Sequence, residues 1–221
     1  MFCRYDMNQW FRLSSREVTL AVQPGERADA ARNRRAILAA AEDLLRRHEP
    51  GQVTVDQVAA AAGVSKATVF HRFASRTGLM RALMEERAQA LHEAVTSGPP
   101  PLGPGAPPGD RLAAFLDAVI GLASRNAGLL TAHDHALATR KDTAGAREAN
   151  PVYVFWHDHA SELIAQARPG LDADLLAHVL LGSLHTDAVA RLVRDGQAGR
   201  VQAGMRTLAA ALLGTGSPPR A

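Results

Sequence analysis

The sequence predicts an all-α protein with a three-helix helix-turn-helix segment near its N-terminus and a larger helical domain after it. Three observations carry this. Apolar residues recur at spacings of three and four through most of the chain, on an alanine-rich background with only 5% aromatic residues and short β-branched runs. Glycine and proline punctuate that pattern at a few places, among them Glu49-Pro50-Gly51, 97–109 and Pro169-Gly170. Residues 52–76 read as two short capped helices around a glycine turn.

Residues 1–26 show no usable periodicity and are expected to be a disordered arm. The first domain spans 27–97. Its first helix is predicted from Ala30 to His48, with Ile37, Ala41, Leu44 and Leu45 on one face. Proline at position 50 disfavours helix at the residue before it, which ends the run. Thr54 then suits an N-cap, and Gln57 three residues on completes a capping box. Val53 and Val58 occupy the positions of a hydrophobic staple. The second helix runs Val55–Ala62, and Gly63 supplies the left-handed residue that stops it. Ser65 caps a third helix starting at Lys66, and Ser75 caps a fourth that runs to about Val95 with Leu79, Leu83 and Leu91 inward. Residues 98–109 are a proline- and glycine-rich loop.

The second domain spans 110–215. Helices are predicted over Asp110–Ser124, Asn126–Arg140 and Asn150–Arg168. A long helix follows from Asp172 to Asp195, stopped by Gly196, and the last helix covers Arg200–Leu213. The Asp172–Asp195 stretch is apolar on more than one face, which in a small domain suggests burial against a second chain.

In a helix-turn-helix the second helix enters the DNA major groove, reading bases from its first turns. Lys66 and Thr68 carry groups for base edges, with His71 a further reader, and Ala67 is small enough to allow close approach. Val69 and Phe73, four apart, face inward and leave Phe70, His71 and Arg72 toward DNA. Ser65, Thr54, Arg72 and Arg76 are expected on phosphates, Arg76 at a helix start where unpaired N–H groups favour anions. The charge distribution agrees: residues 1–97 hold 14 basic and 11 acidic residues, whereas 98–221 hold 11 of each.

At Thr54, Ala62-Gly63-Val64-Ser65-Lys66, Thr68-Val69-Phe70 and Phe73-Ala74-Ser75-Arg76 the chain resembles the TetR (tetracycline-repressor) family of bacterial regulators. Phe70 stands where the family usually has Tyr, and Ala74 where it often has Pro. The resemblance covers roughly 30–95. It implies a ligand-responsive repressor that binds a palindromic double-stranded DNA operator as a homodimer and is released by a small-molecule effector. It also implies a dimer interface built from the last helices, for which Leu176, Val179, Leu180, Ser183, Leu208 and Leu212 are the candidates. The effector pocket would lie among the C-terminal helices, with His133, Phe155, Trp156, His159 and His185 supplying apolar surface and a few polar groups.

Other function classes find less support. No apolar run approaches the ~18 residues of a membrane span, and the N-terminal segment lacks the apolar core of a signal peptide. The lone Cys3 forms no internal disulfide and points to the reducing cytoplasm. Two His-Asp-His tripeptides, at 133–135 and 157–159, invite a metal reading. Residues two apart on a helix point to different sides, so one tripeptide cannot chelate with both imidazoles. No metal site, cofactor or catalytic residue is therefore expected. A DNA-binding metal sensor using these His and Asp residues is the alternative, and a His/Asp metal-dependent hydrolase ranks below it.

Overall fold

The computed structural model describes residues 24–129 and 150–214, and the described residues are all helical apart from turns and loops. Nine α-helices are numbered here in order: α1 (Pro24–Arg47), α2 (Val55–Ala62), α3 (Lys66–Phe73), α4 (Arg76–Ser97), α5 (Pro108–Asn126), α6 (Pro151–Ala167), α7 (Ala173–Ser183), α8 (Asp187–Arg194) and α9 (Ala198–Leu213). A 3-10 turn, Pro50–Gln52, follows α1. Among the described residues no helix is long and apolar enough to cross a membrane. Contacts divide the chain within α4. One unit holds the described residues up to Arg87 together with Gly128 and Leu129; the other holds Ala88–Ala127 and the described residues from Asn150 onward.

The first unit, the head, follows its sequence closely. Thr54 accepts from the Gln57 backbone N–H, and the Gln57 carboxamide accepts from the Thr54 backbone N–H at 2.8 Å, so the capping box is complete. Both staple valines are buried, Val53 at 2% and Val58 at 0% exposure. Gly63 stops α2 at φ +67°, a conformation that costs other residues energy. Ser65 caps α3 by accepting from the Thr68 N–H, and Ser75 caps α4 by accepting from the Gly78 N–H. Ile37, Leu38, Val69, Phe73, Leu79 and Leu83 lead the core, and Leu129, from the chain beyond α5, is buried with them. Full burial of one such side chain stabilises by about 1.5–3 kcal/mol.

Helix α1 is described from Pro24, so residues 24–26 are helical; positions 1–23 lie outside the described residues. The helix expected over Asn126–Arg140 does not start at Asn126. Asn126 closes α5 and Gly128 takes φ +78°, turning the backbone out of helical geometry; positions 130–149 lie outside the described residues.

In the second unit α5 buries Leu112, Phe115, Leu116, Val119 and Ile120. Helix α9 packs on it, with Arg206 paired to Asp117 at 2.7 Å and Gln202 donating to the Asp117 carbonyl at 3.0 Å. Helix α6 is capped by Asn150 and packs on α5 and α7. Its buried face is Tyr153, His157, Ala160, Leu163 and Ile164 with His159, and Phe155, Trp156 and Ala167 pack partly on the same core. The single helix predicted over Asp172–Asp195 is two. Asp172 caps α7 as expected, but the chain turns after Ser183, and Thr186 caps α8 by accepting from the Val189 N–H. The Ser183 hydroxyl bonds back to the Leu180 carbonyl and that of Thr186 to the Ser183 carbonyl, so side chains satisfy groups that a continuous helix would have paired.

Candidate nucleic-acid interface and C-terminal site

The α2–turn–α3 segment presents a sharp division of faces. Val69 and Phe73 are buried, whereas Ser65, Lys66, Ala67, Phe70 and His71 are exposed and Thr68 and Arg72 half-buried. Phe70, 42% exposed, is a large apolar side chain that the head leaves in solvent. The Lys66 ammonium pairs with Asp56 of α2 at 2.9 Å, both side chains mostly exposed. Such a pair is worth at most about 1 kcal/mol, little hindrance to exchanging Asp56 for a phosphate. The Ser65 and Thr68 hydroxyls are 2.8 Å apart and are joined by the cap. Thr54 spends its hydroxyl on Gln57.

Arg76 is placed differently from the reading of it as a phosphate ligand. Its guanidinium is part-buried and donates from Nε to the Val53 carbonyl at 3.2 Å and from Nη2 to the Pro50 carbonyl. It ties the start of α4 to the loop that leads into α2. Nothing local in the sequence signals this, since the partners are 23 and 26 residues away. Two arginines of α1 are likewise engaged: Arg34 lies over the Phe73 ring at 5.4 Å, and Arg32 pairs with Asp29. Just before α4, Ala74 adopts φ +61°, ψ −35°, with the Ser75 N–H bonded to the Phe73 carbonyl at 2.7 Å, a tight γ-turn that strains a residue with a Cβ.

In the second unit, the α6 tripeptide separates as helix geometry requires. His159 is buried against Phe115, with centroids 5.0 Å apart edge-on, and lies parallel to Phe155 at 6.1 Å. Phe155 in turn meets His92 edge-on at 4.3 Å. Burial, with the nearby Arg111 charge acting in the same direction, lowers the His159 pKa to about 4, so the ring is neutral at pH 7. Its Nε2 is buried without a hydrogen-bond partner. Trp156 is half-buried against the core. His185 is exposed on one side, with Nδ1 bonded to the Leu181 carbonyl, and is not brought to His159 by any contact described; His133 lies outside the described residues. Arg111, Phe115 and His92 surround the His159–Phe155 pair but carried no signal in the sequence, because they come from other helices.

His157 turns to the opposite side and meets α7. Its Nε2 is 3.1 Å from the Asp174 carbonyl oxygen and 3.5 Å from Asp174 Oδ1, and its Nδ1 is 3.3 Å from Asp158 Oδ1. The His178 ring lies 3.9 Å from it between centroids, and His178 Nδ1 is 2.8 Å from the Tyr153 hydroxyl. Asp174 and His178 are four apart on α7, the spacing that puts two side chains on one helix face.

Of the six expected interface residues, Val179 and Leu208 are exposed, at 56% and 55%. Leu180 is buried in the chain's own core, and Leu176 and Leu212 pack partly on it. The Ser183 hydroxyl is bonded to the Leu180 carbonyl. Leu175, 56% exposed and one turn before Val179, joins the exposed pair although no sequence pattern singles it out.

Residues 37–83 match the family model of bacterial regulatory proteins of the tetR family. Solved structures share the fold over most of the chain. A TetR-like transcriptional regulator from Rhodococcus sp. RHA1 is 21% identical with a TM-score of 0.51, covering 82% of this chain and 96% of its own. The TetR transcriptional regulator SCO0520 from Streptomyces coelicolor is 20% identical at 0.52, covering 85% and 99%. The fatty acid degradation regulator FadR from Bacillus halodurans is 19% identical at 0.50, covering 82% and 98%. No curated protein matches the chain significantly.

Proposed function

We propose that this chain, whose residues 37–83 match the family model of bacterial regulatory proteins of the tetR family, is a transcriptional regulator of that family that binds a palindromic operator as a homodimer in the cytoplasm and is released by a small-molecule effector. The observation that carries the reading is the α3 face: a doubly capped helix-turn-helix whose inward residues are buried and whose Ser65, Lys66, Ala67, Phe70 and His71 stand in solvent. Lys66 and Thr68 serve as base readers, and Arg72 and the α3 N-terminus as phosphate contacts. Phe70 lacks the hydroxyl that would bond a phosphate and instead offers apolar contact, such as to a thymine methyl.

Dimerisation is supported by Leu175, Val179 and Leu208, three large apolar side chains left exposed on α7 and α9. The effector reading is supported by the His159–Phe155–Phe115 group, where an apolar lining surrounds a buried nitrogen with no partner. A metal-responsive regulator is the second reading, favoured by the donors that α6 and α7 bring together at His157, Asp174 and His178.

Fragmented DNA from the source genome, incubated with the protein at near-physiological salt, recovered and sequenced, tests the main reading. One or a few sites with a palindrome are expected. Diffuse recovery without a common sequence would refute a specific operator. Candidate effectors titrated against Trp156 fluorescence test the second half, and unchanged affinity in His159→Phe would remove His159 from the pocket.

A further inference from the structure

We propose that His157, Asp174 and His178 form a binding site for one divalent transition-metal ion of the zinc, cobalt or nickel kind. One donor atom from each of the three lies within 4.8 Å of the other two. Two donors at about 2.1 Å from one tetrahedral ion stand roughly 3.4 Å apart. His157 Nε2 and Asp174 Oδ1 are already 3.5 Å apart, so a small adjustment of the His178 and Asp174 rotamers closes the set.

The chemistry behind the donors points the same way. A metal-bound imidazole holds its proton on the nitrogen away from the ion, and a carboxylate, hydroxyl or carbonyl takes that proton. Asp158 Oδ1 sits at His157 Nδ1, and the Tyr153 hydroxyl sits at His178 Nδ1. Both rings are thereby held through Nδ1, and His157 Nε2, now 3.1 Å from the Asp174 carbonyl oxygen, would give up that hydrogen bond to bind the ion. Two imidazoles and one carboxylate suit a borderline ion better than calcium or magnesium, which prefer all-oxygen sets. His157 is buried, whereas the Asp174 side chain is 78% exposed, so the ion would sit at the edge of the α6–α7 contact with its remaining positions open to water or a small ligand. The signal in the sequence was not the His-Asp-His tripeptide but the Asp174–His178 pair, four apart, with His157 supplied by another helix.

The assignment is independent of the DNA-binding reading, because its test reads the ion directly. Untagged full-length protein, stripped of metal by chelator dialysis, is titrated with cobalt chloride, followed by its visible absorption, and then with zinc in competition. One ion per chain is expected, with two imidazoles in the zinc coordination shell by X-ray absorption. Asp174→Ala and His178→Ala should each weaken zinc about 10-fold or more, and neither needs to disturb the fold, which far-ultraviolet circular dichroism checks. Should His157→Ala fail to fold, these two variants still decide. Absence of saturable zinc binding overturns the proposal. So does binding that is unchanged in both variants, since the ion would then be held by other histidines.

Discussion

Replacing Arg76 with Ala separates two roles for the same side chain. As a phosphate ligand it would leave head stability intact and lower DNA affinity on all sequences, with the salt slope falling by about one. Its geometry instead predicts a loss of stability. Two donors on a charged group reach the Pro50 and Val53 carbonyls in a part-buried setting, and a hydrogen bond from a charged group contributes about 1.5–3 kcal/mol. The Pro50 carbonyl also accepts from the Val53 N–H, so it is not orphaned by the change. Water also reaches a part-buried site, and together these bring the expected total down to about 2 kcal/mol. That corresponds to roughly 30-fold faster exchange for amides protected by opening of the head, at 1.4 kcal/mol per decade. Hydrogen exchange read on peptides covering 53–80 is the assay, because a global melt would mix the two units. Arg76→Lys, with one ammonium for two carbonyls, should recover about half. Unchanged exchange in Arg76→Ala, with a salt slope lowered by one, would refute the bracing role and restore the phosphate contact.

Ala74→Gly should raise head stability by about 0.5–1 kcal/mol, read by hydrogen exchange on the same head peptides, because glycine adopts φ +61° without strain and returns part of that gain through a more flexible unfolded chain. Thr54→Ala and Ser65→Ala should each cost about 1 kcal/mol as lost N-caps, seen as added exchange in α2 and α3. Burial raises the Glu85 pKa despite the opposing charges of Arg34 and Arg81. A carboxyl with a raised folded pKa adds stability at acid pH and loses it as pH rises through that value, so Glu85→Gln should be more stable than the parent at pH 7 and match it below about 4.5. Val179→Glu, which puts a charge on the exposed α7 face, should give monomers by sedimentation and loss of high-affinity operator binding; a dimer of unchanged affinity would move the interface elsewhere.

The head was legible because its signals are local. Thr54, Gln57, Gly63, Ser65 and Ser75 act within four residues of themselves, and each does in the fold what its chemistry suggests. The bonds that Arg76 makes within the head were not legible because its partners belong to a distant turn. On α6, Tyr153 and His157 are buried because α7 supplies them with polar partners, which no single-helix pattern contains. The α7–α8 break had a local sign in Thr186-Asp187, an N-cap with an acidic first residue, hidden inside a continuous apolar stretch.

Leu129 bears on how freely this head can be exchanged. A fragment ending with α4 carries every helix of the head yet lacks one of its fully buried side chains, supplied more than thirty residues later, after the chain has built α5. Emptying such a position costs about 2–5 kcal/mol, a large part of what a small domain has to spare. The reading module is thus discontinuous in the gene. Swapping it by recombination at the end of α4 would deliver a head with a hole in it, and whatever segment follows α5 in the recipient would have to supply an apolar residue at the matching place.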